Sequence, residues 1–316
     1  MNRYIITRLL SAIPTLLGLS IVVFLLVRFI PGTVVEVMLG SQAEVTEEML
    51  LRLRAFFGLD QPIYVQYAEW IGNALHGNLG TSWRTGKPVT ELLVMGLPVT
   101  VQLAAGALLT SLLVGIPFGT ISALRENTAV DHFIRVISLT SLCMPIFWQA
   151  AMIILVLSRW FKWAPPIGYV DPLSDFGTNL RIMFLPTIVL GTAVAASIMR
   201  MTRSCVLDVM RQDYIRTARA KGLQERIVVL VHGLKNALIP VVTVAGLQVG
   251  SLLGGSVVTE EVFTLPGVGR LVLWAVYHRD YPVVQGTVLF IGVSFIAINL
   301  AVDLIYGYLD PRIHYD

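Results

Sequence analysis

Residues 200–236 read RMTRSCVLDVMRQDYIRTARAKGLQERIVVLVHGLKN, a polar, basic island between two charge-free hydrophobic runs. Eight of its residues are Lys or Arg (200, 203, 211, 216, 219, 221, 226 and 235), against three acids, Asp208, Asp213 and Glu225. A short loop this rich in basic residues stays on the cytoplasmic side of a membrane. The island is also ordered. Tyr214–Lys221 is helix-forming and runs into Gly222, whose missing Cβ suits the left-handed cap that ends helices. A short capped helix displayed to the cytoplasm predicts a partner that receives it.

Working outward from the island, charges are excluded from six runs: Leu9–Val27, Leu92–Leu124, Val136–Ser158, Ile182–Met199, Asn236–Thr259 and Tyr281–Val302. Their lengths are 19, 33, 23, 18, 24 and 22 residues, and a span needs about 20. Hydrophobic residues make up 55% of the 316-residue chain and charged ones 14%, with a mean hydropathy of +0.74, well outside the range of soluble domains. The sequence predicts an all-α membrane protein of six transmembrane helices, at about 9–30, 97–121, 136–158, 182–199, 237–259 and 281–302, forming one domain over 1–316. The first run has a basic start, but its apolar core exceeds that of a signal peptide and no small-x-small cleavage site follows it cleanly. It is read as an uncleaved first helix. Segments 1–8, 125–135, 200–235 and 303–316 carry 13 basic residues, and segments 31–91, 159–181 and 260–280 carry nine. That bias predicts both termini in the cytoplasm, 200–236 as a cytoplasmic loop and 31–91 as an external one.

Net charge of +3 follows from the basic island and does not suggest nucleic acid. The two cysteines, Cys143 and Cys205, lie in a run and in the island, so neither a disulfide nor a metal-ligand spacing is expected. No His-Glu-x-x-His pair or Gly-x-Ser-x-Gly elbow occurs. Gly80–Lys87 resembles a phosphate loop but has five residues between its glycines where the motif needs four, and Pro88 stands where Ser or Thr binds magnesium. The chain is therefore expected to carry no catalytic residue, no metal and no ATPase of its own. None of the six runs holds Asp, Glu, Lys or Arg. This disfavours, without eliminating, an ion-coupled secondary transporter, which needs a titratable group at depth. An intramembrane enzyme is remoter still. Arg28 and Asp303 are read as interfacial anchors.

Gly246, Gly250 and Gly254 recur every four residues on one helical face, with Gly255 beside them, a pattern that lets helix backbones approach closely. The contact is either within the chain or with a partner subunit. Gly115 and Gly119 repeat the pattern more weakly. Pro14, Pro98, Pro117, Pro145, Pro186 and Pro240 interrupt backbone hydrogen bonding within the runs. Gln149 and Gln248 are candidates to line a pore, with an interhelical hydrogen bond as their plainer role. In the first external loop, Met49, Leu50, Leu53, Phe56 and Phe57 share one helical face, with Glu47 and Glu48 in the first turn. Pro62 opens a second amphipathic segment bearing Ile63, Tyr67, Trp70, Ile71 and Ala74. Either segment can lie in the headgroup layer or cap an external partner.

The segment Asp213-Tyr214-Ile215-Arg216-Thr217-Ala218-Arg219-Ala220-Lys221-Gly222-Leu223, followed by Asn236-Ala237-Leu238-Ile239-Pro240, resembles the cytoplasmic loop of permease subunits in binding-protein-dependent ABC importers. More narrowly, the chain resembles the first-permease (B-type) subunit of the dipeptide/oligopeptide/nickel family. Matching pieces span nearly its whole length: Gly58–Pro62, Met144–Trp148, Arg200–Ser204, Phe263–Arg270, Arg279–Gly286 and Asp310–Arg312. Two departures stand out. Where the general importer loop has Glu-Ala-Ala, this chain has Arg216-Thr217-Ala218, so no acidic ATPase contact carries over. Where peptide permeases commonly have Pro-Gly-Asp-Pro, it has Pro31-Gly32-Thr33-Val34.

The resemblance implies the type I ABC importer permease fold and a pore shared with a second homologous permease subunit. It also implies two ATPase subunits carrying ATP and Mg, and an external solute-binding protein that delivers substrate. Tyr214, Arg216, Thr217, Ala218, Arg219, Ala220, Lys221, Gly222 and Leu223 would form the ATPase-coupling helix. Ala218 and Ala220 would be small enough to enter an ATPase cleft, and Arg216, Arg219 and Lys221 would serve as ATPase contacts or as topology determinants. Peptides are the leading substrate on this resemblance, with nickel, glutathione and short oligosaccharides as alternatives.

Overall fold

The computed structural model describes residues 2–29 and 60–309, with side chains over 8–28 and 60–303. The amphipathic segment expected around Met49–Phe57 and the motifs at 31–34, 58–59 and 310–312 lie outside the described residues. Ten helices carry the fold among the described residues. They are α1 Asn2–Phe29, α2 Ile63–Leu75, α3 Val89–Leu124, α4 Ala129–Cys143, α5 Ile146–Phe161, α6 Phe176–Met210, α7 Asp213–Ala220, α8 Glu225–Val262, α9 Val268–Tyr277 and α10 Tyr281–Leu309. Five are long and apolar enough to cross a membrane, and six spans result if the bent pair α4–α5 counts as one.

That pair corrects one expectation. The run Val136–Ser158 reads as a single helix, but the structure divides it into two helices meeting at 110°. Pro145 is the cause. A proline forces the preceding residue out of the helical region, and Met144 is extended at φ −81°, ψ 127°. Several helices also outrun their charge-free cores. α6 continues past Met199 to Met210, and α8 starts at Glu225 rather than near 237. The charges in these extensions are exposed or paired, so they do not stop a helix.

The chain divides into two compact units, Met1–Pro98 with Gly267–Ile296, and Val99–Pro266 with Ala297–Asp316. In the second unit, Val99, Leu103 and Ala107 of α3 pack with Ile182, Val189 and Leu190 of α6 and Leu252 of α8. Further along, Ala123 of α3 meets Val206 of α6 and Ala237 of α8. Early residues of α3 thus meet early residues of α6 and late residues of α8, so α3 and α6 run parallel and α8 runs against both. A parallel pair needs one return crossing between its members, which the bent α4–α5 supplies.

Glycines make the α3–α6 contact intimate. A Cβ on Gly119 would sit 2.6 Å from the Met199 carbonyl oxygen, one on Gly115 3.0 Å from that of Ala195, and one on Gly191 2.8 Å from that of Ala107. With no hydrophobic drive between helices in lipid, such close approach is what supplies the attraction. The weaker glycine pattern in the sequence, Gly115 and Gly119, therefore marks the tight seam.

The first unit has its own core, built on Val89, Leu93, Val268, Ala275 and Val283. α2 packs on α1, as Tyr67 donates or accepts a 2.8 Å hydrogen bond with Ser20 and its ring meets Phe24 edge-on at 5.2 Å. Asp280, buried, organises the loop that resembles a phosphate cradle. Its carboxylate accepts from the Ser82 hydroxyl at 2.5 Å and from the backbone N–H of Trp83 and Arg84 at 3.2 and 3.3 Å. The donors a phosphate would use are thus occupied by the protein's own acid.

Candidate functional site

The basic island folds as the end of α6, the short helix α7 and the start of α8. α7 buries Ile215 and Ala218, one helical turn apart, against Val228 and Met210. The remaining side chains of the segment (Tyr214, Arg216, Thr217, Arg219, Ala220, Lys221 and Leu223) are exposed. Ala218 therefore sits on the inner face of α7 and does not present a small surface outward, because its three-residue spacing from Ile215 places both on one side. Ala220 keeps an outward position. Gly222 adopts φ +77°, and a Cβ placed on it would find no atom within 4 Å, so backbone conformation alone requires glycine there.

Side chains fix α7 to its mount. The Tyr214 hydroxyl accepts from Asn236 Nδ2 at 2.9 Å and donates to the His232 carbonyl at 3.4 Å. Arg219 forks onto Glu225 with contacts of 2.6 and 3.1 Å, and this hydrogen bonding raises the Arg219 pKa above its usual value. Arg216 approaches Asp213 at 3.4 Å on the open surface. The start of α8 is a π-helix over Val228–Leu234. Such segments are wider than an α-helix and recur at functional sites. Here the widened turn brings the His232 carbonyl to Tyr214, and Gly233 lies where a Cβ would meet Met210 Sδ at 2.9 Å. Nothing in the sequence flags the π turn, since its apolar residues continue those of the helix around it.

A buried ion pair braces the same end of the unit. Asp131, fully buried, takes a two-pronged hydrogen bond from Arg203 at 2.8 Å on each side, and also accepts from the Ser122 hydroxyl and the Asn127 N–H. One carboxylate thus ties α3, the turn after it, α4 and α6. Arg211 adds an exposed contact to Glu126 at 3.0 Å.

The other expected residues separate. Gln149 donates from Nε2 to the carbonyls of Ser141 and Met144, 2.9 Å each, and so caps α4 at the 110° bend. That is a bond between helices, whereas Gln248 accepts one from the Ser251 hydroxyl on its own helix at 2.8 Å. Gly246 meets Val302 of α10, where a Cβ would lie at 2.5 Å, and Gly250 is buried, whereas Gly254 and Gly255 have nothing within 4 Å. Sequence reasoning missed a polar cluster at the other end of the unit. Glu260, fully buried, accepts from Thr100 at 2.7 Å, and nearby Gln102 bonds Asn179 and the Tyr169 hydroxyl. Glu260 falls one residue beyond its charge-free run, where the sequence makes it look like an ordinary acid at the end of a span.

Residues 115–315 match the family model described as binding-protein-dependent transport system inner membrane component, and residues 1–104 match the corresponding N-terminal model. The dipeptide transport system permease protein of Alkalihalophilus pseudofirmus is 40% identical over the full length of both chains. The di/tripeptide transport system permease protein of Pseudomonas aeruginosa is 42% identical over all of this chain and 99% of the relative. The oligopeptide transport system permease protein of Bacillus subtilis is 42% identical over the full length of both. Among solved structures, a chain of the MetNI methionine ABC transporter in an inward-facing conformation superposes with a TM-score of 0.57 at 19% identity, over 69% of this chain and 96% of that one. The similarity extends to the fold.

Proposed function

We propose a function from one premise: the chain belongs to the family of binding-protein-dependent transport system inner membrane components. It is an integral multi-pass membrane protein and a permease subunit of an ABC importer, and its part in transport is a pathway and not a reaction. The substrate class is short peptides, a reading supported by the full-length relatives whose names specify dipeptides, tripeptides and oligopeptides. The site is the bacterial inner membrane with both termini in the cytoplasm, supported by the basic excess of 200–235. Its partners are a second permease subunit, two ATPase subunits that carry ATP and Mg, and an external binding protein that delivers peptide.

One observation carries the mechanism. α7 and its cap residue Lys221 display Tyr214, Arg216, Arg219, Ala220 and Lys221 outward while Ile215 and Ala218 bind the helix to its neighbours. An ATPase that grips the outer face can thus move the helices through the inner one. The basic face also suits an acidic lining in the ATPase cleft, in keeping with the absence of an acid at 216–218.

Arg216→Glu combined with Lys221→Glu tests this reading, since it reverses charge on the outer face and leaves the buried face intact. The variant is expected to insert normally, lose ATPase subunits on co-purification and abolish uptake of radiolabelled dialanine. Wild-type uptake with full ATPase recovery would overturn the coupling role. Failure of the wild-type transporter to take up any short peptide would overturn the substrate class alone.

A further inference from the structure

α4 touches the rest of its unit along one narrow strip. Its buried residues are Asp131, Ile134 and Ser138, Ser141 is half-buried, and the others are exposed. Spacings of three, four and three place these four on one helical face. Ile134 is the apolar member of the strip. A strip of small polar side chains gives little of the van der Waals grip that holds helices together in lipid. Directional bonds therefore decide where α4 sits.

Those bonds are unequal. Ser138 donates to the Arg135 carbonyl of its own helix at 2.9 Å, and so holds nothing across the contact. Ser141 donates to the Thr192 carbonyl of α6 at 3.3 Å, a long contact. Asp131 makes the strong ones. It receives both prongs of Arg203 from α6 at 2.8 Å and the Ser122 hydroxyl of α3 at 2.5 Å. A planar fork on a carboxylate fixes direction as well as distance. Helices in contact along a bland strip can slip past one another, and a buried ion pair that forbids slipping serves registry, the best-attested use of such pairs.

The pair also stands at a junction. α6 carries Arg203 and runs unbroken to Met210, and α7 begins three residues later at Asp213. On the other side, α4 leads through the 110° bend into α5. We propose that Asp131 and Arg203 are a positioning pair for transport, the joint through which motion of α6 is delivered to the bent pair α4–α5. This inference rests on the coupling role of α7, which supplies the motion.

Cys143, exposed at the end of α4, is a native reporter. The full transporter is prepared with Cys205→Ala and cysteine-free partner subunits, and a spin label is placed on Cys143. Electron paramagnetic resonance compares the nucleotide-free complex with one trapped by ATP and vanadate. The label's spectrum is expected to differ between the two states. Asp131→Leu with Arg203→Met removes both charges together and strands neither. It is expected to keep the ATPases and their hydrolysis of ATP while the difference at Cys143 is lost. Arg203→Lys, which keeps the charge without the fork, is expected to reduce the difference. A pair that serves stability alone would leave the response intact in whatever complex assembles. A wild-type response in the neutral pair therefore overturns the joint, as does a wild-type transporter whose label shows no difference. Should the neutral pair fail to assemble, a full response in Arg203→Lys overturns it. Failure of the coupling role reads out separately, as full ATPase recovery and wild-type uptake in Arg216→Glu with Lys221→Glu.

Discussion

The α3–α6 seam and the mount of α7 lie in one unit and are held by different physics. At the seam, backbones touch: Gly115, Gly119 and Gly191 each leave no room for a single carbon before the opposing carbonyl. At the mount, an eight-residue helix buries two side chains and is otherwise held by hydrogen bonds from its own polar residues. A backbone seam has few alternative arrangements, because shifting it costs contact along its whole length. A helix hung on side chains can be pulled without unpacking the framework. The contrast is what a force-transmitting part needs: a stiff body and a gripped handle.

The sharpest way to break this contrast is at Gly119. Gly119→Leu forces a side chain into the Met199 carbonyl and Thr202, an overpacking cost of about 3 kcal/mol or more. Folded yield and thermal stability in detergent are expected to collapse. Gly254→Leu, with nothing within 4 Å, is the control, and is expected to leave the isolated chain as stable as wild type. Equal stability of the two variants would mean that the seam is not the stiff element.

Next in size is the ion pair that braces the seam's end. Asp131→Ala leaves Arg203 without its partner beside the vacated pocket and is expected to cost about 3–5 kcal/mol. Replacing both partners, Asp131→Leu with Arg203→Met, is expected to recover much of that loss, since the penalty is dominated by the stranded charge. A chemical-denaturation series on the two variants measures it. A double variant as unstable as Asp131→Ala would place the pair's value in the bond itself.

Much of this was legible in the sequence, but unevenly. The apolar runs place the spans because a bilayer demands length and apolarity whatever the tertiary contacts. The basic island and Gly222 mark α7 because charge and φ > 0 are local requirements. What the sequence could not convey was which side of α7 faces inward, since Ile215 and Ala218 acquire their meaning from Val228, and Val228 lies in a π segment with no local signature. The glycines show the same limit. Gly246, Gly250 and Gly254 make the better-spaced row, yet the seam formed where α6 offered Thr202, Ala195 and Gly191 opposite α3. Spacing on one helix says that a close contact is possible, and the opposing helix decides whether it forms. Pro145 was visible, but a proline in an apolar run is compatible with a kink or a break, and the Gln149 cap settles it as a break.

At the mount the effects should be smaller. Gly222→Ala meets no neighbour, so its cost is only that of placing a Cβ residue at φ +77°, about 1 kcal/mol. Gly222→Asn should cost less, because Asn tolerates that region. Both should leave global stability of the framework unchanged while raising hydrogen exchange in residues 213–222. A fall in global stability as large as that of Gly119→Leu would show that the handle is part of the body.

The smallest effect is expected at Arg219 and Glu225, and it isolates the role of burial. Their fork has contacts of 2.6 and 3.1 Å, close to the 2.8 Å contacts of Arg203 with Asp131, but the side chains are 43% and 60% exposed, against 22% and 0%. Exposed pairs are worth about 0.2–1 kcal/mol and weaken with salt, because water and counter-ions already solvate both charges. A double-mutant cycle of Arg219→Ala and Glu225→Ala, read by local hydrogen exchange in α7, should give a coupling in that range at low salt and close to zero at about 1 M. Meanwhile the same cycle on Asp131 and Arg203 should keep most of its value in salt. If the exposed cycle matched the buried one in size and salt resistance, the mount would be as rigid as the seam, and α7 would move only as part of the whole bundle.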